Sequence, residues 1–429
     1  MQLPEDFVRL MHEQYDTSTA DALCQALCET EPEVSIRLNL RKGLPLNLDK
    51  VQADPVPWCP DAYYLAERPA FTFDPLLHAG AYYVQEASSM YIAELVRKYL
   101  LQIQNSKFKI QNSSSQQSAD NSQFSILNSQ FPIAALDLCA APGGKSTLLA
   151  GLLPEGSVLV SNEPMPKRAQ VLAENMQKWT RVAEGEYPVR SIVTQNYPAD
   201  FTAFTDCFDL LVTDVPCSGE GMFRKDEVAV QDWSLRNVDV CWHRQREILQ
   251  DIWHVLKPGG LLIYSTCTFN RYEDEDNARW ICETLGAELL EERHFLPGRD
   301  RGEGFYCAAI RKKSLPQPLP RRGDGLGRLE DVFPSLGGVR GDFPLNVIPP
   351  AFTVEPDMPR IELNYNEALQ YLRREAVRVP APRGMVLLCY KGYVLGPGKC
   401  VGNRINNLYP EQWRIRTTYT TPFSLLGIQ

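Results

Sequence analysis

The feature that most constrains the fold is an alternation of short apolar segments with helical segments between residues 134 and 265. Five apolar segments are predicted to be buried strands: 134–138, 158–161, 191–194, 208–214 and 261–265. Helices are predicted over 166–179 and through 244–256, the second ending at the Lys-Pro-Gly-Gly stop signal of 257–260. Strands that alternate with helices form parallel sheets covered on both faces. We therefore predict a doubly wound α/β core, closed by a further strand over 304–310.

The length and composition indicate a globular protein with several domains. At 429 residues the chain is too long for one compact core. Its 44% hydrophobic and 23% charged residues exclude global disorder. No apolar run approaches the roughly 18 residues that span a bilayer, and Met1–Asp6 lacks the basic and apolar segments of a signal peptide. We therefore expect a cytoplasmic protein without a membrane partner.

The charge is unevenly distributed along the chain. The net charge of −9, taken alone, argues against a protein that coats nucleic acid. Residues 301–429 nevertheless contain 18 Lys and Arg against 11 Asp and Glu, a local charge of +7, and the remaining 300 residues contain 26 against 42, a local −16. This asymmetry predicts that the C-terminal end of the chain meets a polyanion.

Two stretches of unusual composition divide the chain. Residues 102–130 are rich in Gln, Asn and Ser and lack apolar heptad positions, which predicts a disordered insertion. Pro, Gly and Arg accumulate between residues 314 and 341, a composition that is typical of a linker. A strand pattern at 34–40 and a helix pattern at 366–378 indicate separate units at the two ends. The predicted domains are an N-terminal α+β accessory domain (1–78), the core (79–313), the linker (314–342) and a β-rich C-terminal domain (343–429).

The twelve cysteines are irregularly spaced, which argues against a disulfide framework. Only Cys24 and Cys28 lie close together, at helical spacing, and no further His or Cys pair has the spacing of zinc ligands. We therefore expect reduced thiols and no metal site.

The most informative segment runs from Leu136 to Thr147, where a strand enters a turn of small residues and a helix begins near Lys145. Small residues let a backbone approach a ligand closely, and a helix N-terminus favours a carboxylate or another anionic group. About 20 residues later, Glu163 ends the second strand, where a carboxylate can accept hydrogen bonds from both ribose hydroxyls. Together these features predict a nucleoside-type cofactor at the carboxyl edge of the sheet.

Several kinds of ligand site compete for this turn. Gly144-Lys145-Ser146 matches the end of a phosphate-binding P-loop, and Asp214 mimics the acidic strand end of an NTPase, but Cys139 occupies the first glycine position and Pro142 removes an amide donor. The segment fits a dinucleotide-binding G-x-G-x-x-G motif less well. A Gly-Gly turn that only packs a helix, without binding a ligand, is the structural alternative. We favour S-adenosylmethionine, which has ribose hydroxyls and an amino-acid group but no phosphate.

Two cysteines follow adjacent predicted strands of the core. Cys217 lies in the segment Asp214-Val-Pro-Cys-Ser-Gly-Glu-Gly-Met-Phe-Arg-Lys-Asp226, and Cys267 lies in Ser265-Thr-Cys-Thr268. A single free cysteine is usually a small core residue. Because the carboxyl ends of parallel strands lie at one edge of a sheet, these two thiols can face the same pocket. Methyltransferases that act on the adenine amino group typically have Asn/Asp-Pro-Pro-Tyr/Phe here, and this chain has Cys in place of the second Pro.

A thiol in this place suits methylation of cytosine at carbon 5. That carbon is a poor nucleophile until a thiolate adds to carbon 6 and turns the ring into an enamine. A thiol with a pKa of about 8.5 is only a few per cent ionised at neutral pH, so the thiolate needs activation. A contact from Asp214 to N3 of the base would favour the addition. The other cysteine is a candidate for assisting release of the product, and the residues alone do not order the two.

At these residues the chain resembles the Nop/Sun (NSUN, RsmB/RsmF-like) RNA cytosine-C5 methyltransferases, which have a Rossmann-like core. The matching motifs are Cys139-Ala-Ala-Pro-Gly-Gly-Lys145, Asp214-Val-Pro-Cys-Ser-Gly-Glu-Gly221, Tyr264-Ser-Thr-Cys-Thr268 and, upstream, Tyr83-Val-Gln-Glu-Ala-Ser-Ser89. The resemblance implies that Cys267 is the nucleophile and that Cys217 aids release. It implies S-adenosylmethionine contacts at Cys139, Ala140, Ala141, Pro142, Gly143, Gly144, Lys145, Glu163 and Asp214. Many relatives also have an Asp after the third strand, where this chain has Asn196.

The C-terminal segment resembles the PUA-like RNA-binding domain of RsmF-type enzymes, through Lys391-Gly-Tyr-Val-Leu-Gly396 and Gly402-Asn-Arg-Ile-Asn-Asn-Leu-Tyr-Pro410. Its aromatic residues are predicted to stack on unpaired bases: Tyr390, Tyr393, Tyr409 and Trp413. Arg37, Arg224 and Lys225 are further candidates for phosphate contacts. The resemblance favours small-subunit ribosomal RNA as the substrate of a monomeric enzyme, with transfer RNA as the alternative. A ribosome assembly factor that has lost activity is a third hypothesis, which the intact cysteines disfavour.

Overall fold

The computed structural model describes residues 2–43, 53–100, 131–182, 185–314, 345–355 and 357–417. The predicted insertion at 102–130 and residues 315–342 of the predicted linker lie outside this described part. Within it, no helix has both the length and the apolar character needed to cross a membrane.

The N-terminal unit has two helices followed by a four-stranded antiparallel sheet with the order β2-β3-β1-β4. Its elements are α1 (Glu5–Gln14), α2 (Thr17–Glu29), β1 (Val34–Leu38), β2 (Ala53–Val56), β3 (Cys59–Leu65), the short α3 (Pro75–His78) and β4 (Tyr82–Val84). Asp16 fixes the start of α2, because its carboxylate accepts a hydrogen bond from the Thr19 backbone N–H at 3.0 Å. This unit has the α+β character predicted from the sequence.

The core is an eight-stranded sheet with the order β10-β11-β9-β8-β5-β6-β7-β12. Its strands are β5 (Ala134–Asp137), β6 (Val158–Asn162), β7 (Arg190–Thr194), β8 (Phe208–Asp214), β9 (Leu256–Thr266), β10 (Ala287–Phe295), β11 (Phe305–Lys312) and β12 (Val347–Ile348). Its helices are α4 (92–100), α5 (Gly144–Leu152), α6 (Pro166–Thr180), α7 (Glu227–Asp232), α8 (Leu235–Ile252) and α9 (Glu275–Thr284). The five predicted strands are the five parallel strands β5 to β9, which confirms the doubly wound core. The strands β10, β11 and β12 pair antiparallel.

Side chains of the parallel strands alternate between two cores, one on each face of the sheet. Leu210 and Val212 pack with the α4, α5 and α6 side, whereas Leu211 packs with the α8 and α9 side. This alternation follows from the two-residue period of a strand. Because both faces are covered by helices, the apolar character of β8 is continuous rather than alternating, and polar ligand contacts are left to the strand ends.

The C-terminal unit is a second small sheet with the order β13-β14-β15-β16. Its elements are β13 (Arg360–Glu362), α10 (Tyr365–Leu372), β14 (Gly384–Tyr390), β15 (Tyr393–Cys400) and β16 (Ile405–Asn407). Apolar residues of this sheet and of α10 form one buried cluster with residues of the N-terminal sheet, including Ile36 and Leu38. The two end units therefore share a core.

Two helices end earlier than the sequence predicts. The helix predicted through 244–256 ends at Ile252, and Lys257-Pro-Gly-Gly260 lies inside β9. The pairing of β8 with β9 jumps from Leu256 to Leu261, so this tetrapeptide forms an irregularity in the strand instead of a loop. The helix predicted over 366–378 ends at Leu372, and Arg374 after it has a positive φ of 64°.

The prediction that aromatic residues of the C-terminal unit stack on bases is wrong. Tyr390, Tyr393, Tyr409 and Trp413 are at most 6% exposed and belong to the shared core. A small sheet needs large side chains to fill its interior, and these rings meet that need.

Two of the three predicted phosphate contacts are also wrong. Arg37 is 1% exposed and donates a hydrogen bond to Thr147 Oγ1 at 2.7 Å, which ties β1 to α5. The guanidinium of Arg224 forms a buried ion pair with Glu303 at 3.1 Å. Lys225, the third, is exposed.

Candidate active site

The turn after β5 is shaped by a glycine that no other residue replaces without strain. Gly143 has a φ of +117° and directly precedes α5. A Cβ placed on it would lie 3.4 Å from the side chains of Asn175 and Leu172 of α6. Around it Cys139 is half-buried, Ala140 and Ala141 are buried, and the ring of Pro142 is exposed. The backbone is therefore open to a ligand at Pro142 and closed against α6 behind it.

Buried oxygens beneath this turn lack protein partners. The Asp137 carboxylate accepts a hydrogen bond from Ser146 Oγ at 2.6 Å through Oδ2, whereas Oδ1 has no partner within the described residues. Burial raises the pKa of Asp137 to about 7. Ser161 Oγ and Thr213 Oγ1, near the carboxyl ends of β6 and β8, are likewise buried and unpartnered in the described part. Polar atoms left in this way at strand ends fit a ligand rich in hydroxyl and amino groups.

Glu163 lies just after β6 at the same edge of the sheet and is 2% exposed. Its Oε1 accepts a hydrogen bond from the Met165 backbone N–H at 3.0 Å, and its Oε2 lies 3.4 Å from the Arg168 guanidinium. Arg168 also donates to the Ala141 carbonyl at 3.1 Å. Arg168 therefore links the predicted ribose acceptor to the small-residue turn, a contact that the sequence motif does not reveal.

The two cysteines meet above the carboxyl ends of β8 and β9. Their sulfur atoms lie 3.3 Å apart. The hydrogen bond with Cys267, followed by burial, raises the pKa of Cys217 well above its ordinary value. Cys217 therefore keeps its proton and can donate it to the Cys267 sulfur. We call residues 215–223, which carry Cys217, the β8 loop, and residues 267–270, which begin with Cys267, the β9 loop.

A half-buried ion pair lies beside the thiols. Lys145 Nζ is 2.8 Å from Asp214 Oδ2, and Ser265 Oγ donates to Asp214 Oδ1 at 3.0 Å. Burial alone would lower the pKa of Lys145, but the Asp214 carboxylate reverses the effect, so the pKa lies above its ordinary value. The field of Cys267 acts on Lys145 in the same direction. The structure thus joins the first residue after the glycine turn to the end of β8.

Two buried glutamates exchange hydrogen bonds between the cysteine loops, an arrangement that we call the two-glutamate clamp. Glu220 of the β8 loop accepts from the Phe269 and Asn270 backbone N–H groups of the β9 loop at 2.6 and 3.1 Å. Glu273, just after the β9 loop, accepts from the Ser218 backbone N–H at 3.0 Å and from Ser218 Oγ at 2.5 Å. Each loop is therefore positioned by a carboxylate that the other loop region supplies.

Further donors complete the two-glutamate clamp. The Asn270 amide donates to Glu220 at 2.9 Å and to Glu273 at 2.8 Å, and the Trp233 indole donates to Glu220 at 3.0 Å. Burial, with a smaller contribution from Glu273, raises the pKa of Glu220 to about 7. Burial also raises the pKa of Glu273. The clamp therefore holds two carboxyl groups where burial makes their ionised form unfavourable.

The loops also touch through a glycine. The Gly221 backbone N–H donates to the Cys267 carbonyl at 2.7 Å. A Cβ on Gly221 would lie 2.8 Å from that carbonyl oxygen and 3.1 Å from the Gly304 carbonyl oxygen. Glycine is therefore required for the close approach of the two loops.

Helix α1 supports the loops from outside. Phe7 is fully buried and packs its ring against Phe223, Trp233 and Phe269 with centroid distances of 5.2, 5.4 and 6.3 Å. Phe223 and Phe269 belong to the β8 and β9 loops. The N-terminal unit thus contributes directly to the placement of both cysteines, which no local motif indicates.

Asn196, after β7, is engaged by the chain itself. Its side-chain oxygen accepts from the Asn346 backbone N–H at 2.9 Å, and its amide nitrogen lies 3.5 Å from Asp200. This side chain holds the segment that leads into β12.

Comparisons with known proteins agree with this geometry. Residues 125–311 match the family model described as 16S rRNA methyltransferase RsmB/F. Residues 3–87 match the N-terminal domain of 16S rRNA methyltransferase RsmF, and residues 359–415 match the methyltransferase RsmF PUA domain. The three matches follow the order of the units in the structure.

Similar curated proteins carry the name ribosomal RNA small subunit methyltransferase F. The one from Pectobacterium atrosepticum is 30% identical over 357 residues, which cover 76% of this chain and 66% of that relative. The one from Aeromonas hydrophila is 26% identical over 500 residues, which cover 96% and 97%. The chain thus spans slightly less than two thirds of the first relative and nearly all of the second.

Solved structures share the fold. NSun6 from Pyrococcus horikoshii, solved with SFG, has a TM-score of 0.55 at 16% identity and covers 73% of this chain and 99% of its own. A methyltransferase homologue from the same organism has a TM-score of 0.51 at 21% identity and covers 72% and 100%. With the fold, the three domain matches and these relatives together, the chain belongs to the RsmB/F methyltransferase family, with an RsmF-type N-terminal domain and a PUA domain.

Proposed function

We propose that the protein transfers a methyl group from S-adenosylmethionine to carbon 5 of a cytosine in RNA, and that its substrate is small-subunit ribosomal RNA. The observation that carries the proposal is the 3.3 Å separation of the Cys217 and Cys267 sulfur atoms beside a glycine turn with unpartnered buried oxygens. Two thiols in one pocket match a reaction that needs both a nucleophile and a proton-bearing partner.

In the proposed reaction Cys267 is the nucleophile. Its thiolate forms a bond to carbon 6, and the electron pair displaced from the carbon 5–carbon 6 double bond makes carbon 5 nucleophilic. Once carbon 5 is methylated, its proton passes to water, the electron pair of that C–H bond reforms the double bond, and Cys267 leaves while the Cys217 thiol donates its proton to the departing sulfur. The raised pKa of Cys217 supports this order, because a group that keeps its proton suits assistance rather than attack.

Asp214 is proposed to bind the cytosine base, and Lys145 is proposed to hold Asp214 from the cofactor side of the pocket. The Asp214 carboxylate, held by Lys145 at 2.8 Å, can accept a hydrogen bond from a base whose ring N3 is protonated in the adduct. S-adenosylmethionine, when bound, supplies an electrophilic methyl group. The residues that fit it are Asp137, Cys139, Ala140, Ala141, Pro142, Gly143, Gly144 and Glu163. Lys145 keeps its positive charge beside Cys267, because the Asp214 carboxylate raises its pKa.

The proposed substrate follows from the relatives named ribosomal RNA small subunit methyltransferase F and from the PUA domain match. We further propose that the protein acts in the cytoplasm, where that RNA is made and assembled.

The direct test is methyl transfer to RNA. The purified protein is incubated with S-adenosylmethionine labelled in the methyl group and with total RNA or small ribosomal subunits from a strain that lacks the gene. Label on 5-methylcytosine in small-subunit RNA is the expected result. Label only on transfer RNA would redirect the substrate, and no label on cytosine would refute the enzyme.

A pair of variants tests the roles of the thiols. Cys217→Ala is expected to accumulate a covalent protein–RNA adduct that survives denaturing electrophoresis, because release is slowed while attack is retained. Cys267→Ala is expected to form no adduct. An adduct trapped by Cys267→Ala instead would reverse the assignment.

A further inference from the structure

A cleft with no assigned role lies next to the proposed active site. Its volume is about 850 Å³, within the roughly 300–1,000 Å³ typical of small-ligand sites. Gln85 lines it and also lies 3.5 Å from where a Cβ on Gly144 would be, at the cofactor turn. Arg224 lines it from the segment directly after the β8 loop. The cleft therefore borders both parts of the proposed active site.

Two carboxylates in this cleft have no structural task. Strands β1 and β3 pair with Val34 opposite Leu65, so the chain before β1 and the chain after β3 leave the sheet side by side. Glu31 and Glu67 lie on these two segments, line the cleft and are exposed. Neither carboxylate has a hydrogen bond or an ion pair with another described residue. Glu33, which also lines the cleft, is by contrast paired with an arginine at 3.0 Å.

Two cations stand at the same cleft. Arg68 and Lys225 line it and are exposed. Arg68 lies over the Phe71 ring at 5.6 Å, which restricts the directions in which its guanidinium can point. Val84 adds a half-buried apolar side chain to the wall. Acceptors, cations and an apolar wall together match the three parts of a nucleotide: the base edge, the phosphate and the base face.

We propose that this cleft is a second nucleotide site, which binds a guanosine that neighbours the target cytosine in the same RNA strand. This inference rests on the proposed function. Guanine presents two adjacent donors, N1–H and the exocyclic N2–H₂, on its Watson–Crick edge, and a carboxylate of Glu31 or Glu67 accepts both. Adenine and uracil each place an acceptor beside their donor, so two carboxylates disfavour them. Lys225 and Arg68 bind the flanking phosphates.

The test uses the full chain and short fluorescein-labelled oligouridines that contain one cytosine. A single guanosine is placed at each neighbouring position in turn, with adenosine at the same position as the matched probe, and binding is followed by fluorescence anisotropy. We expect one position at which guanosine binds about ten-fold more tightly than adenosine. The double variant Glu31→Gln/Glu67→Gln is expected to lose this preference, whereas Glu288→Gln on exposed β10 keeps it. Lys225→Ala should weaken all probes alike and lower the salt dependence by about one unit.

The outcomes separate this site from the proposed function. Absence of any position with guanosine preference, or a preference that survives in the double variant, overturns the second nucleotide site. Methyl transfer is measured in parallel on small ribosomal subunits from the strain that lacks the gene. Methylation without a guanosine preference refutes the site and leaves the proposed function standing, while a preference that Glu31 and Glu67 control, without methylation, supports the site and refutes the function.

Discussion

Replacing Glu220 of the two-glutamate clamp with glutamine tests the idea that a costly buried charge positions the cysteine loops. The pKa of this carboxyl is raised from its ordinary value of 4.5 to about 7, mainly by burial. At about 1.4 kcal/mol per pKa unit, the shift corresponds to about 3 kcal/mol of stability. Because the folded-state pKa is the higher one, this contribution is present below about pH 4.5 and is lost as the pH rises through 7.

Glutamine resembles the protonated carboxyl in shape and cannot ionise. Between pH 5 and pH 8, Glu220→Gln is therefore expected to gain up to about 3 kcal/mol in stability relative to the wild type. The amide nitrogen, however, points donors at N–H groups that now donate to the carboxylate, so two of the four hydrogen bonds of Glu220 are lost. We expect methyl transfer at pH 8 to fall by about ten-fold or more.

The measurement is urea denaturation at a series of pH values, followed by tryptophan fluorescence, since the Trp233 indole donates directly to Glu220. The exposed Glu288→Gln is the matched control, for which the difference from the wild type should not vary with pH. If the stability difference between Glu220→Gln and the wild type is the same at pH 5 and pH 8, the carboxyl does not titrate as proposed. A more stable variant with full activity would show that the clamp does not position the thiols.

Three further variants probe the surroundings of the thiols. Gly221→Ala places a Cβ 2.8 Å from the Cys267 carbonyl oxygen, so the loops must separate at a cost of about 1–3 kcal/mol in stability. The methyl-transfer rate should drop by at least about ten-fold. An unchanged rate would show that the reaction does not depend on the close approach of the two loops. Phe7→Ala removes a fully buried ring and should cost about 3–5 kcal/mol in urea denaturation; a loss below about 1 kcal/mol would show that α1 is not anchored there. Lys145→Met leaves the Asp214 carboxylate without its ion-pair partner, so the methyl-transfer rate should fall while the thermal stability changes little. A variant that loses thermal stability but keeps its methyl-transfer rate would contradict this expectation.

The sequence predicts well what depends on local pattern. Short apolar runs indicate the parallel strands β5 to β9, and small residues indicate the turn at Gly143. The meeting of Cys217 and Cys267 follows from the rule that carboxyl ends of parallel strands lie at one edge of the sheet. Periodicity and topology are sufficient for these features.

What the sequence does not predict depends on contacts between distant residues. In the C-terminal unit, aromatic residues interleaved with Lys and Arg are typical both of a nucleic-acid-binding surface and of a small domain whose core is filled by large side chains. Because Tyr409 is fully buried, these aromatic residues belong to a core. Glu220 and Glu273 look like surface acids in the sequence, and only the approach of the two loops makes them buried partners. The predicted end of α8 is wrong because Lys257-Pro-Gly-Gly260 is a stop signal in isolation and a strand irregularity once β9 pairs with β8.

The packing of α1 on the cysteine loops has a consequence for the way the protein is made. Phe7 leaves the ribosome long before its partners Phe223 and Phe269 are synthesised, and the N-terminal sheet waits longer still for the C-terminal unit that completes its core. The nascent chain therefore cannot bring its two thiols together before the β9 loop, residues 267–270, has been synthesised. Reactive sulfur chemistry is withheld from partial chains, and a prematurely terminated product should expose apolar surface that marks it for degradation.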